Sequence, residues 1–165
     1  MSTVWERITP PLVNDTAVIE WTPSTAGTHY SLINEGMAAG DIDDDDHILT
    51  ITGAKKESLR INGALTGTGA LHRVRVGFRY KGSAVPVIPG LEVTLFVKSV
   101  QWGSIAKLNV DTAGVWTNAQ VTFNVGPGKT VAMWEAGPTR VLRFVSAPAV
   151  GGYVDPDQYE FQVDL

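Results

Sequence analysis

A chain of 165 residues suits one domain with a sizeable core, and its 44% apolar and 18% charged residues describe a folded chain whose polar surface leans on Thr, Ser and Asn. There is no cysteine, which excludes disulfide staples, thiolate metal sites and cysteine nucleophiles and favours synthesis in a reducing cytosol. The net charge of −4 hides a sorted distribution: Met1–Asp46 holds nine acids against Arg7 alone, Lys55–Arg143 twelve bases against four acids, and the tail four more acids.

Taken in chain order, residues 1–12, with Thr9-Pro10-Pro11, read as an N-terminal arm or edge strand ahead of a single domain over residues 13–165. An arm predicts that removing Met1–Pro11 weakens partner binding and leaves the melting temperature unchanged; a core strand predicts the loss of both. The segment has neither a basic n-region nor an apolar h-region, so it reads as a start without a secretion signal. No run approaches the roughly 18 apolar residues of a membrane-spanning helix, and no membrane partner is expected.

Short strands are expected at Thr16–Trp21, Thr28–Asn34, His47–Thr52 and Ser58–Asn62. The clearest period-two pattern follows at Leu71–Lys81: His72, Val74, Val76, Phe78 and Tyr80 take one face, and Arg73, Arg75, Arg79 and Lys81 the other. Leu91–Val100 sets Leu91, Val93, Leu95 and Val97 against Glu92, Thr94, Phe96 and Lys98. Val115–Val125 and Gln158–Leu165 alternate in the same way, and weaker strands are expected at Ser104–Val110, Thr130–Glu135 and Thr139–Ser146. Gly and Pro pairs separate nearly all of them, and no segment of helical period and adequate length is present. The pattern predicts an all-β fold: an antiparallel β-sandwich, jelly-roll-like, of about ten short strands.

The run Asp41-Ile42-Asp43-Asp44-Asp45-Asp46 packs carboxylates whose repulsion a hard divalent cation relieves, so Asp41, Asp43 and Asp45 are candidate Ca²⁺ ligands. An EF-hand is excluded, because Asp46 stands where the loop needs Gly and Thr52 where it needs Glu. A solvated acidic loop, or one facing a basic neighbour through Asp44 and Asp46, is the plainer reading. The stripe of Arg73, Arg75 and Arg79 suits an acidic partner, in the same chain or another. Nucleic acid is not expected, because the sequence pI is about 5.3 and Phe78 and Tyr80 fall on the opposite face.

His29, His47 and His72 are scattered, and the chain has no nucleophile elbow, phosphate loop or HExxH helix. Glu92 and Glu135 as a glycosidase pair is the weakest reading. No enzyme activity and no cofactor are expected. Five tryptophans, Trp5, Trp21, Trp102, Trp116 and Trp134, are numerous for this length. Exposed indoles stack on sugars, whereas burial in a core or interface is the commoner fate. Trp116 and Trp134 sit out of phase with the apolar faces of their expected strands, which marks them for exposure or an interface. With Trp5 and Arg7 of the N-terminal segment they complete the candidate partner-binding set.

Three stretches carry a resemblance. His29-Tyr30-Ser31-Leu32-Ile33-Asn34-Glu35 leads through Asp43-Asp44-Asp45-Asp46 into His47-Ile48; Trp116-Thr117-Asn118-Ala119-Gln120-Val121 forms a Trp-bearing strand; and Tyr159-Glu160-Phe161-Gln162-Val163-Asp164-Leu165 closes the chain. In this order they resemble the jelly-roll or lectin-like β-sandwich proteins of tailed bacteriophage virions, which serve as head decoration (cement) proteins and tail appendages. The resemblance implies a non-enzymatic virion component, assembled in the host cytoplasm as a dimer or trimer. Its partner would be the major capsid protein or another virion protein, and the implied role is to stabilise the shell. The alternative is a carbohydrate- or receptor-binding module of a tail or fibre, with a glycan as ligand.

Overall fold

The computed structural model describes residues 3–8, 12–23, 26–27, 48–49, 55–80, 90–108, 115, 117–136, 140–146 and 158–164. Period-two alternation over half-buried segments makes strands, and the strands assemble into two main antiparallel sheets. The four-stranded sheet runs in the order β1 (Thr3–Arg7), β12 (Gln158–Asp164), β6 (Ala70–Tyr80), β10 (Thr117–Asn124). The second sheet runs β2 (Leu12–Ile19), β5 (Lys56–Ile61), β11 (Arg140–Ser146), β7 (Leu91–Val97), with β8 (Val100–Gln101) and β9 (Ala106–Leu108) both pairing to β7. A two-stranded ribbon, β3 (Thr22–Pro23) with β4 (Ile48–Leu49), completes the set. The chain is an all-β, jelly-roll-like sandwich, and no described helix is long and apolar enough to cross a membrane.

Inward-facing positions of both sheets supply one core. Leu71, Val74, Val76, Phe78, Val121 and Phe123 come from the four-stranded sheet, and Leu59, Ile61, Leu91, Val93, Leu95, Leu142 and Phe144 from the other. Phe78 meets Phe144 between the sheets edge to face, with ring centroids 5.4 Å apart, a geometry the ring quadrupoles favour. Trp21 closes one side of the core at 6.3 Å from Phe144. Its backbone N–H donates to the carboxylate of Glu57 at 3.2 Å, so this fully buried acid is matched to a backbone donor that would otherwise lack a partner.

Two expectations are corrected. His72 does not share the apolar face of Val74: it is exposed, and Leu71 is buried instead. The cause is a bulge, since β12 pairs Gln162 with Arg73 but Val163 with Leu71, so β12 skips His72 and its side chain turns outward. Thr130–Glu135 is not a strand; Val131–Glu135 forms a short helix, α1, with Thr130 as N-cap accepting from the Met133 N–H at 3.1 Å. Val131 and Trp134, three residues apart, are its buried side. Over so few residues a period of two and a helical turn cannot be told apart.

The first strand pairs with β12 over its whole length, from Thr3 opposite Asp164 to Arg7 opposite Glu160, and forms one edge of its sheet. Glu6 ties it sideways: its carboxylate accepts from the backbone N–H groups of Thr66 and of Gly67, the latter at 2.8 Å. Burial, the largest single influence on this carboxyl, raises its pKa, but the donors from Thr66 and Gly67 together outweigh it, and Glu6 titrates below the ordinary 4.5. A depressed folded-state pKa stabilises the fold above the unfolded value and ceases to as pH falls through the folded one. Glu6→Gln is therefore expected to be less stable than wild type at pH 7. Urea midpoints measured from pH 7 down to 3 should converge; a gap that stays constant would mean the carboxylate charge does not contribute.

Candidate functional site

The structure sorts the sequence-predicted residues into three groups. Trp5, Arg7, Arg73, Arg75 and Arg79 are brought together on the four-stranded sheet. The guanidinium carbons of Arg75 and Arg73 lie 3.9 and 5.1 Å from the centre of the Trp5 ring. The register sets Glu160 opposite Arg75 on one side and Arg7 on the other, so an acidic strand of the same chain runs along the basic stripe. Trp134 is the second group and a correction: it is fully buried in the core, 6.2 Å from Trp102, and no partner can reach it. Its strand phase suggested exposure only because the segment is helical. Asp41, Asp43, Asp44, Asp45, Asp46 and Trp116 lie outside the described residues, among which no cluster of three or more potential metal ligands occurs.

A second surface was not singled out from the sequence. The outward positions of β5, β11 and β7 form cross-strand rows: Arg60 beside Val141 beside Phe96, then Ser58 beside Arg143 beside Thr94. With Thr16 and Val18 of β2 on one side and Ser99 on the other, these rows, Thr94 excepted, line a groove of about 470 Å³. That volume falls within the range of small-ligand sites.

The groove is built from fixed parts. The Nε–H of Arg143 donates to Ser58 Oγ at 3.0 Å, and its guanidinium carbon sits 4.7 Å from the centre of the Phe96 ring. Hydrogen bond and ring together orient the guanidinium, an arrangement that arginine's planar fork allows and a lysine would not reproduce. Thr16 Oγ1 donates to the Ser58 carbonyl at 2.9 Å and accepts from the Val18 N–H at 3.1 Å, which moulds the irregular stretch of β2 against β5. The Arg60 Nε–H is buried and has no acceptor among the described residues. At the rim, Lys98 and Ser99 form the two-residue turn between β7 and β8 with φ of 51° and 63°. Both occupy the left-handed region that Asn and Gly prefer, so Ser99 is held at the groove edge against its own backbone preference.

One signal pointed here. Phe96 is the single aromatic on the polar face of an otherwise clean alternation, and Arg143 and Arg60 take the outward positions of their own strands. What the sequence did not contain was the order β5-β11-β7, which makes neighbours of residues more than eighty positions apart.

No protein-family model and no curated protein matches the sequence. Among solved structures, SGBP-B from a complex xyloglucan utilization locus in Bacteroides uniformis superposes with a TM-score of 0.52 at 12% identity, over 94% of this chain and 50% of that one. A carbohydrate-binding module, CBM6cm-2 from Cellvibrio mixtus lichenase 5A in complex with cellotriose, gives 0.44 at 8% identity over 94% and 95% of the two chains. The enzymatically active domain of bacteriophage CBA120 tailspike protein 4 gives 0.46 at 9% identity, over 98% of this chain and 19% of that one. At such identities the likeness is one of fold, a β-sandwich, and this chain spans half the length of the SGBP-B chain.

Proposed function

We propose that this chain is a non-catalytic carbohydrate-binding module whose ligand lies in the groove across β2, β5, β11 and β7. The observation that carries the reading is the groove's lining: hydroxyls from Thr16, Ser58 and Ser99, guanidinium donors from Arg60 and Arg143, and an aromatic ring beneath one of them. Sugars present alternating polar edges and apolar C–H faces, and such a lining matches both. None of the described residues lining it is Asp, Glu or His, so these residues can hold a sugar but form no pair of carboxylates to cleave one. The fold shared with SGBP-B, from a xyloglucan utilization locus, supports the same reading.

The capsid-decoration reading has less behind it. Its clamp needs the N-terminal segment and the Asp41–Asp46 loop; Thr3–Arg7 is already engaged in pairing with β12, and the loop lies outside the described residues. Nor do Trp21, Trp102 and Trp134 serve as sugar platforms, because all three are core residues.

The test is a glycan array followed by titration of the best ligand against wild type, Arg143→Ala and Phe96→Ala. Each variant is expected to bind at least about tenfold more weakly, the worth of one charge-assisted hydrogen bond or one aromatic contact in a desolvated site. Circular dichroism should show both still folded. Absence of binding to any glycan at millimolar concentration would sink the proposal.

A further inference from the structure

The two cations in the groove have a consequence for its ligand. Arg60 stands opposite Val141, and Arg143 lies two residues further along the same strand, so the two arginines are diagonal neighbours on one face, about 7–8 Å apart at the backbone. Both line the groove, and no carboxylate lines it with them among the described residues. In the next row of this face, Glu92 stands on β7 and bonds Lys107 at 3.5 Å. Among the described residues Arg143 is hydrogen-bonded through Nε alone, and its two terminal amino groups have no acceptor there. Like charges held together in a partly desolvated cleft repel, and an anion placed between them relieves that repulsion, which a neutral ligand cannot do.

From this arrangement we infer that the groove selects saccharides that carry a carboxylate, that is, uronic-acid units, over their neutral counterparts. The inference rests on the carbohydrate-binding reading and names the chemical class of its ligand. A guanidinium whose Nε is pinned to Ser58 and whose face is pinned to Phe96 presents its outer edge as a rigid two-donor fork. A planar carboxylate accepts both donors in parallel, the geometry in which such pairs are strongest. Arg60 adds a second positive charge from the adjoining strand, and the Ser99 hydroxyl at the rim is left for the sugar's own hydroxyl groups.

The experiment is calorimetric titration of the intact chain with oligomers of galacturonate, alginate and glucuronoxylan, each beside its carboxyl-reduced neutral form and a sulfated heparin fragment. At least one acidic oligomer is expected to bind about tenfold or more tightly than its reduced form. That preference should shrink as NaCl rises. Arg143→Gln and, as an independent variant, Arg60→Gln should each reduce it several-fold while the melting temperature holds. Neutral forms binding as tightly as acidic ones would overturn the inference and leave the carbohydrate-binding reading standing. An acidic preference unchanged in both variants would overturn it for this groove. A sulfated fragment that binds more tightly than every uronate would overturn the assignment to carboxylate. Binding to none of the panel, acidic or neutral, would overturn both the inference and the reading beneath it.

Discussion

Trp134→Ala is expected to lower the free energy of unfolding by about 3–5 kcal/mol, measured as the shift of a urea transition followed by circular dichroism. The indole is fully buried and packs at 6.2 Å from the Trp102 ring. It is also the centre of a latch: the Trp134 carbonyl accepts from Arg140 Nη1 at 2.8 Å, and the Arg140 guanidinium carbon stands 5.8 Å from its ring centre. The same arginine fills the space beside Gly63, where a Cβ would fall 1.9 Å from the guanidinium carbon. Removing the indole therefore leaves a cavity and loosens the contact that ties α1 to β11. Trp134→Phe should recover part of the loss, because most of the volume returns. A loss below about 1 kcal/mol, with glycan binding abolished, would instead mean that the side chain faces solvent and serves a ligand.

Deleting Met1–Ile8 is expected to cost at least about 4 kcal/mol and to lower the melting temperature by about 8–16 °C. Ile8 is 1% exposed and belongs to the core, so its removal alone has the cost of truncating a buried aliphatic residue. The deletion also strips β12 of its outer partner and releases the Thr66 and Gly67 backbone donors held by Glu6. It takes away the indole beneath Arg73 and Arg75 as well. Trp5→Ala is the matched control: the half-buried ring leaves but the strand stays, and a loss of only about 1 kcal/mol is expected. An unchanged melting temperature in the deletion would show that the segment behaves as an arm in solution. Differential scanning calorimetry on the two variants and wild type decides between these outcomes.

The arginines show how far local pattern reaches. Arg73, Arg75 and Arg79 are read at once as one face of one strand, because alternation alone places them together. Arg60 and Arg143 are equally outward on their own strands, yet they belong to segments eighty-three residues apart in the chain, and nothing local pairs them. Phe96 was visible as an aromatic on a polar face, and its partner was not. Trp134 shows the opposite failure. Its phase was measured against a strand, and a Thr130 cap with burial at i and i+3 turned the segment into helix, reversing the side on which the indole falls.

Composition and alternation by themselves determined the class of this protein. A chain without cysteine, with Gly and Pro between short period-two segments, can bury its apolar faces only by stacking sheets, and the all-β sandwich follows from that constraint. The tertiary structure alone decided the site. Strand order is set by long-range pairing, and it brings the fork of Arg143, the ring of Phe96 and the charge of Arg60 onto one face. A groove is a relation between strands, and no single strand's pattern contains it.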